Sequence, residues 1–85
     1  MTTPNPTELR TIIADVLAGI APEASLDNID PNGPFREELD IDSMDFLNLM
    51  VGLKGKLGVE VPEADYSKLT TLNLLIAYLQ RRLGG

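Results

Sequence analysis

Apolar residues recur every three or four positions in three separate stretches of this 85-residue chain. That spacing lines one face of an α-helix. The first stretch carries Leu9, Ile12, Ile13, Val16, Leu17 and Ile20 and is entered through Asn5-Pro6-Thr7-Glu8. This entry offers a capping side chain, a proline at the first helical position and a carboxylate at the third. Pro22 is expected to close the run. A long connection from Ala21 to Leu39 follows, containing Pro31, Gly33 and Pro34, with Leu26, Ile29 and Phe35 as its expected anchors in the core. A connection of this length in a compact domain usually serves function or carries a helical turn. A second helix is predicted to start at Asp42 or Ser43 and to end near Leu57, with Gly58 as its stop. At about 100° per residue its Phe46, Leu47, Leu49, Met50, Leu53 and Leu57 cluster on one side. Met44 and Val51 fall nearly opposite, with Asn48, Gly52 and Gly55 around them. Val59 to Pro62 reads as extended, and Glu63 to Lys68 as one short helix. Thr70 or Thr71 should cap a last helix carrying Leu72, Leu75, Ile76, Leu79 and Leu83, with Arg81 and Arg82 favourable to the dipole in its final turn. The predicted fold is all-α: a small four-helix bundle with three long helices, one short helix and a long first loop, forming one domain over residues 1–85.

Composition narrows the chemistry. Hydrophobic residues make up 44% of the chain, enough for a folded core. There is no cysteine and no histidine, so thiol and imidazole chemistry from its own side chains is excluded. The missing cysteines agree with a cytoplasmic location. No apolar stretch approaches the ~20 residues of a membrane span, and the amino terminus lacks the basic and apolar regions of a signal peptide. Net charge is −6. The acidic residues concentrate at Asp27, Asp30, Glu37, Glu38, Asp40, Asp42 and Asp45, with Arg36 as the basic residue among them. Such a field repels nucleic-acid backbones and anionic lipid, and draws in proteins with basic patches. The plainer alternative is a solvated acidic loop that keeps the chain soluble.

The start of the second helix is the candidate site. With Asp42 as the cap, Asp45 stands at the third helical position and the two form a capping-box-like pair. Ser43 is then the first helical residue, its hydroxyl free to face solvent. A phosphate ester there would lie on free backbone N–H groups at the positive end of the helix dipole. With Ser43 as the cap, its hydroxyl is instead consumed in closing the helix; both arrangements fit the local sequence. Met44 and Val51 on the polar side suggest a docking surface, against the alternative of scattered surface hydrophobes. Gly52 and Gly55 each cost about 1 kcal/mol relative to Ala inside a helix. They are read as admitting close approach of a partner or of the Val59–Val61 segment.

Glu38-Leu39-Asp40-Ile41-Asp42-Ser43-Met44-Asp45 resembles the prosthetic-group attachment motif of acyl carrier proteins, whose core triplet is Asp-Ser-Leu. Val59-Glu60-Val61-Pro62 and Lys68-Leu69-Thr70-Thr71-Leu72 resemble the third-helix region of that family, at a spacing from the serine that needs no gap. The likeness runs from the Leu9 helix to Leu79. It implies that Ser43 receives 4′-phosphopantetheine through a phosphodiester, that the arm's thiol carries acyl groups as thioesters, and that Asp42 helps recognition by a phosphopantetheinyl transferase. It further implies a partner face formed by Asp40, Met44, Asp45, Asn48 and Val51, a monomer, and partner enzymes of fatty-acid, lipid or polyketide synthesis. Family members also hold acyl chains between their helices, so the core is a candidate cavity. Five positions depart from the pattern. Asp40 stands where many relatives have Gly, Met44 replaces Leu, Asn48 stands where Glu is frequent, and Lys54 and Lys56 lie in a stretch that is acidic in the housekeeping fatty-acid carrier. These departures suggest a specialised carrier with its own partners, and the chain reads as freestanding.

The competing readings are weaker. Asn28, Asp30, Asn32 and Gly33 imitate the start of an EF-hand loop, but position one is Asn and position twelve is Leu39 rather than Glu. That leaves at most weak divalent binding by the acidic stretch. Arg82-Leu83-Gly84-Gly85 resembles the tail of a ubiquitin-like modifier, but such modifiers need several alternating strands. A helical interaction module without a prosthetic group fits the pattern less fully, and a peptidyl or aminoacyl carrier differs only in cargo. With no histidine, metal cluster, triad or phosphate-cradling loop, the sequence points to a non-catalytic protein.

Overall fold

A computed structural model describes residues 4–84. The helical elements are α1 (Pro6–Ala18), a 3₁₀ turn (Leu26–Asn28), α2 (Phe35–Leu39), α3 (Ser43–Leu57), a second 3₁₀ turn (Glu63–Lys68) and α4 (Leu72–Gly84), and the described residues contain no strand. α1 packs against both α3 and α4. Three long helices therefore form the frame, as the apolar spacing predicts.

The start of α1 follows its sequence signals closely. The Asn5 side chain accepts from the Glu8 N–H at 2.8 Å, and the Glu8 carboxylate accepts from the Asn5 N–H at 3.4 Å, completing a capping box ahead of Pro6. Its end comes earlier than Pro22. The last helical residue is Ala18, and the N–H groups of Ile20 and Ala21 both turn back to the Leu17 carbonyl, at 2.9 and 2.8 Å. The Ile20 bond spans a tighter three residues and the Ala21 bond the usual four, and both go to a carbonyl the helix end would leave open.

The long connection contains α2, a helix that the sequence reading does not separate from the loop. Phe35 and Leu39 lie four residues apart and are both buried, so one turn of helix puts them on the same face. Leu26 is buried as expected, and Ile29 is half-buried against the core. The short helix expected over Glu63–Lys68 is a 3₁₀ turn. Thr71, rather than Thr70, starts α4: its hydroxyl accepts from the Leu74 N–H at 3.1 Å and its carbonyl from the Leu75 N–H. Val59 and Val61 are buried while Glu60 and Pro62 are exposed, the alternation of an extended segment. Arg82 holds this segment to α4 by donating to the Glu60 carbonyl at 2.8 Å.

Phe46, Leu49, Met50 and Leu53 form the buried face of α3. Leu47 does not join them: it is 40% exposed. At about 100° per residue it stands roughly 40° from Val51, at the margin of the apolar arc, so it falls on the outer side. Gly52 also receives a definite reason. A Cβ there would overlap the Cγ1 methyl of Val16, so the missing side chain lets α1 approach α3, rather than a partner or the Val59–Val61 segment. Among the described residues nothing lies within 4 Å of a Cβ at Gly55.

Candidate functional site

The site is the junction between α2 and α3. α2 ends at Asp40, which adopts the left-handed conformation with φ 55° and ψ 45°. Its N–H satisfies the Glu37 carbonyl, and the Ile41 N–H satisfies that of Arg36. Glycine suits such a position because it has no Cβ to clash, and aspartate is among the few side chains that tolerate it. An aspartate at Asp40 is therefore compatible with the turn. The turn sends Ile41 into the core and leaves Asp42 outside.

Asp42 is the cap of α3. Its backbone is extended (φ −92°, ψ −177°), and its carboxylate accepts from the Asp45 N–H at 2.9 Å. The reciprocal half of the box is not made: Asp45 is one methylene shorter than the usual Glu, and among the described residues it returns no bond to the Asp42 N–H. Ser43 is the first helical residue and is exposed. Of the two arrangements the sequence allows, the molecule therefore has Asp42 closing the helix and the Ser43 hydroxyl outside the cap. The Phe46 N–H bonds the Asp42 carbonyl at 3.0 Å, and the Asp42 carboxylate takes that of Asp45. Among the described residues the N–H groups of Ser43 and Met44 have no acceptor, so the first turn keeps donors aimed outward, where the dipole favours an anion.

Around this hydroxyl the predicted residues spread as follows. Met44 and Val51 are each 62% exposed and share a helix face with exposed Asn48 and with Leu47. Asp40 and Asp42 are exposed at the preceding turn, and Asp45 is half-buried. The outer face of α3 thus carries an apolar strip beginning one residue after Ser43, bordered by carboxylates. Leu47 is the member the sequence reading misses; its angular closeness to Val51 is the signal that would have found it.

On the other side of Ser43 runs a groove of about 670 Å³, with Phe35, Ile41, Phe46, Tyr66 and Leu69 among its walls and Arg36, Ser67 and Thr70 at its edges. Its floor is aromatic. The Phe46 ring meets Tyr66 edge-to-face at 5.4 Å between centroids and Phe35 likewise at 6.3 Å. Each such pair is worth about 0.5–1.5 kcal/mol beyond its buried area. The Arg36 guanidinium lies over the Phe46 ring at 5.9 Å. Sequence reading places Phe35 and Phe46 in the core but has no means to bring Tyr66 to them, because that contact depends on how the 3₁₀ turn docks. The turn is held by the Tyr78 hydroxyl, which donates to Asp65 at 2.8 Å, with Lys68 3.3 Å from the same carboxylate. The Tyr78 hydrogen bond, followed by the Lys68 ammonium, holds the Asp65 carboxyl below its ordinary value of 3.8. Burial pushes the Tyr66 and Tyr78 hydroxyls above 10.0.

The rival sites do not assemble. Asp30 and Asn32 close their own turn: the Asn32 N–H donates to the Asp30 carboxylate at 2.9 Å, and the Asn32 side-chain oxygen accepts from Asn73 at 2.7 Å. No three acidic side chains among the described residues converge to hold a metal ion. The described residues contain none of the sheet that a ubiquitin-like modifier requires, and Gly85 of that tail lies outside them.

A family model of the phosphopantetheine attachment site matches residues 7–79, nearly the whole chain. The chain belongs to that family. Its curated relatives include acyl carrier proteins of Chlamydia muridarum, 33% identical over 75 residues covering 88% of this chain and 91% of the relative, and of Thermosynechococcus vestitus, 30% identical over 78 residues covering 92% and 90%. The meromycolate extension acyl carrier protein of Mycobacterium tuberculosis is 33% identical over 69 residues. That match takes 81% of this chain but only 56% of the mycobacterial protein, so the chain spans little more than half of that relative's length. The family's group is phosphopantetheine. This attachment domain fits it on structural grounds: an exposed serine hydroxyl outside the cap, outward backbone donors for a phosphate, and an adjoining groove. No helix among the described residues is long and apolar enough to cross a membrane.

Proposed function

We propose that residues 1–85 act as one acyl carrier domain, with 4′-phosphopantetheine esterified to Ser43. The supporting observation is the division of labour at the α3 start: Asp42 accepts the Asp45 N–H, so the Ser43 oxygen is available for a covalent bond. In the loading step the Ser43 hydroxyl forms a new ester bond to phosphorus of coenzyme A and loses its proton, and adenosine 3′,5′-bisphosphate leaves. The attached arm supplies a mobile thiol that holds an acyl group as a thioester. The chain's own residues position and present that arm. The first-turn N–H groups favour the phosphate charge, and the exposed strip Met44, Leu47 and Val51 gives partner enzymes an apolar contact. The carboxylates of Asp40, Asp42 and Asp45 draw in partners with basic patches, first the transferase and then acyl-transferring and acyl-modifying enzymes. The domain itself is non-catalytic, works as a monomer in the cytoplasm, and serves fatty-acid, lipid or polyketide synthesis.

Intact-mass analysis after incubation with a phosphopantetheinyl transferase and coenzyme A tests this. The wild-type chain gains one phosphopantetheine and Ser43→Ala gains none. Ser43→Ala should leave stability within about 0.5 kcal/mol, since exposed first-turn substitutions cost little. Asp42→Ala should lose about 1 kcal/mol, because it removes the cap. A mass gain on Ser43→Ala, or a stability loss there as large as for Asp42→Ala, would overturn the assignment.

A further inference from the structure

The groove beside Ser43 bears on what the arm can carry, on the reading that Ser43 holds it. Ser43 and Phe46 lie one helical turn apart and both line the groove. Behind Phe46, on the same helix, come Leu49 and Leu53, both fully buried, and neither lines the groove. Phe46 is itself only 3% exposed, with Phe35 and Tyr66 set edge-on against its ring. An alkyl chain running from Ser43 toward the bundle interior would have to separate these rings. Leu49, Leu53, Leu75 and Leu79 beyond them are fully buried, and a folded core resists added volume.

The edges of the groove are polar instead. The Ser67 and Thr70 side chains are exposed and have no hydrogen-bond partner among the described residues, and Arg36 is in no ion pair among them. Charge selects further. Two carboxylates, Glu37 and Glu63, line the groove against the single guanidinium of Arg36, so a cargo carboxylate would be repelled while a neutral hydroxyl or carbonyl finds donors.

We infer that the groove takes a short, neutral, oxygen-bearing acyl group, a hydroxy- or oxo-acyl chain, and that Phe46 and Tyr66 bar a long alkyl chain from the bundle interior. The expectation that the core serves as a cavity is thereby replaced by a surface bed with an aromatic floor. Tyr66 is the specificity-determining residue that can be tested, because it is half-buried and its removal opens the groove without emptying the core.

The test loads the full chain from octanoyl-coenzyme A and, separately, from 3-hydroxybutyryl-coenzyme A. Loading is confirmed by intact mass, and each form is compared with the chain carrying the unacylated arm by methyl and amide NMR. In the wild type, octanoyl loading should leave the methyl signals of Leu49, Leu53, Leu75 and Leu79 in place. Hydroxybutyryl loading should shift the amides of Tyr66, Ser67 and Thr70. In Tyr66→Ala, octanoyl loading should shift the leucine methyls. Shifted leucine methyls in octanoyl-loaded wild type would overturn the barrier. Unmoved rim amides with hydroxybutyryl would overturn the cargo class, and an unresponsive Tyr66→Ala would remove Tyr66 from the barrier. Failure to gain mass at all would instead overturn the carrier reading beneath it.

Discussion

The two faces of α3 do opposite work within fifteen residues. On one face Phe46, Leu49, Met50 and Leu53 are sealed against the other helices. On the other, Met44, Leu47 and Val51 stand in solvent beside Ser43, although they are no more polar. Hydrophobicity alone thus does not assign a role; position around the helix does. The sharpest way to break the contrast is truncation on each face. Leu53→Ala removes a fully buried side chain and should cost about 2–5 kcal/mol in urea unfolding. Val51→Ala should stay within about 0.5 kcal/mol, yet weaken binding to partner enzymes. Equal stability losses would mean that the outer face is covered in the folded molecule.

The glycines of α3 make the same comparison with a single substitution type. Ala is favoured over Gly in a helix by about 1 kcal/mol wherever space allows. At Gly55 nothing is near a new Cβ, so Gly55→Ala should stabilise the domain by up to about 1 kcal/mol. At Gly52 the new Cβ overlaps a Val16 methyl, and overpacking costs about 1–3 kcal/mol. Val16 is β-branched and half-buried, so it cannot easily swing away. Gly52→Ala should therefore destabilise by about 1 kcal/mol despite its better helix propensity. Thermal melts of the two variants should move in opposite directions; movement in the same direction would remove the close α1–α3 approach as the reason for Gly52.

These cases show what the sequence could reveal. The three long helices were legible, because the apolar spacing, the cap at Asn5 and the stop at Gly58 are local signals. The family was legible from the residues around Ser43, but whether Ser43 or Asp42 closes the helix was not: both side chains can cap, and only the backbone placement decides. Helix α2 was obscured by Pro31, Gly33 and Pro34, although Phe35 and Leu39 at four-residue spacing marked it. Leu47 was misassigned because an apolar residue at the margin of a helical arc can face either way. The Tyr66–Phe46 contact and the Val16–Gly52 approach join distant segments, and single-sequence periodicity contains no record of such pairings.

The smallest expected effect concerns the wall facing Ser43 across the groove. The buried face of α3 rests on packing and should be indifferent to acid, whereas the Glu63–Lys68 turn relies on the Asp65 carboxylate. That carboxyl is held below 3.8 by the Tyr78 hydroxyl and then by Lys68. A carboxyl with a depressed folded value contributes stability that is complete above its unfolded value and is lost as pH falls through the folded one. The turn should therefore loosen below about pH 4, as the carboxyl takes up its proton. Tyr78→Phe keeps the ring under Arg82 and removes only the bond to Asp65. Its amides at Tyr66 and Ser67 should exchange faster than wild type at neutral pH, and the gap should shrink in acid, when the wild-type bond to the carboxylate is lost as well. Exchange at Leu49 and Leu53 should be the same in both proteins. A gap at Leu49 or Leu53 as large as that at Tyr66 would show that the turn and the core open together, and the two faces of α3 would then not be separable in stability.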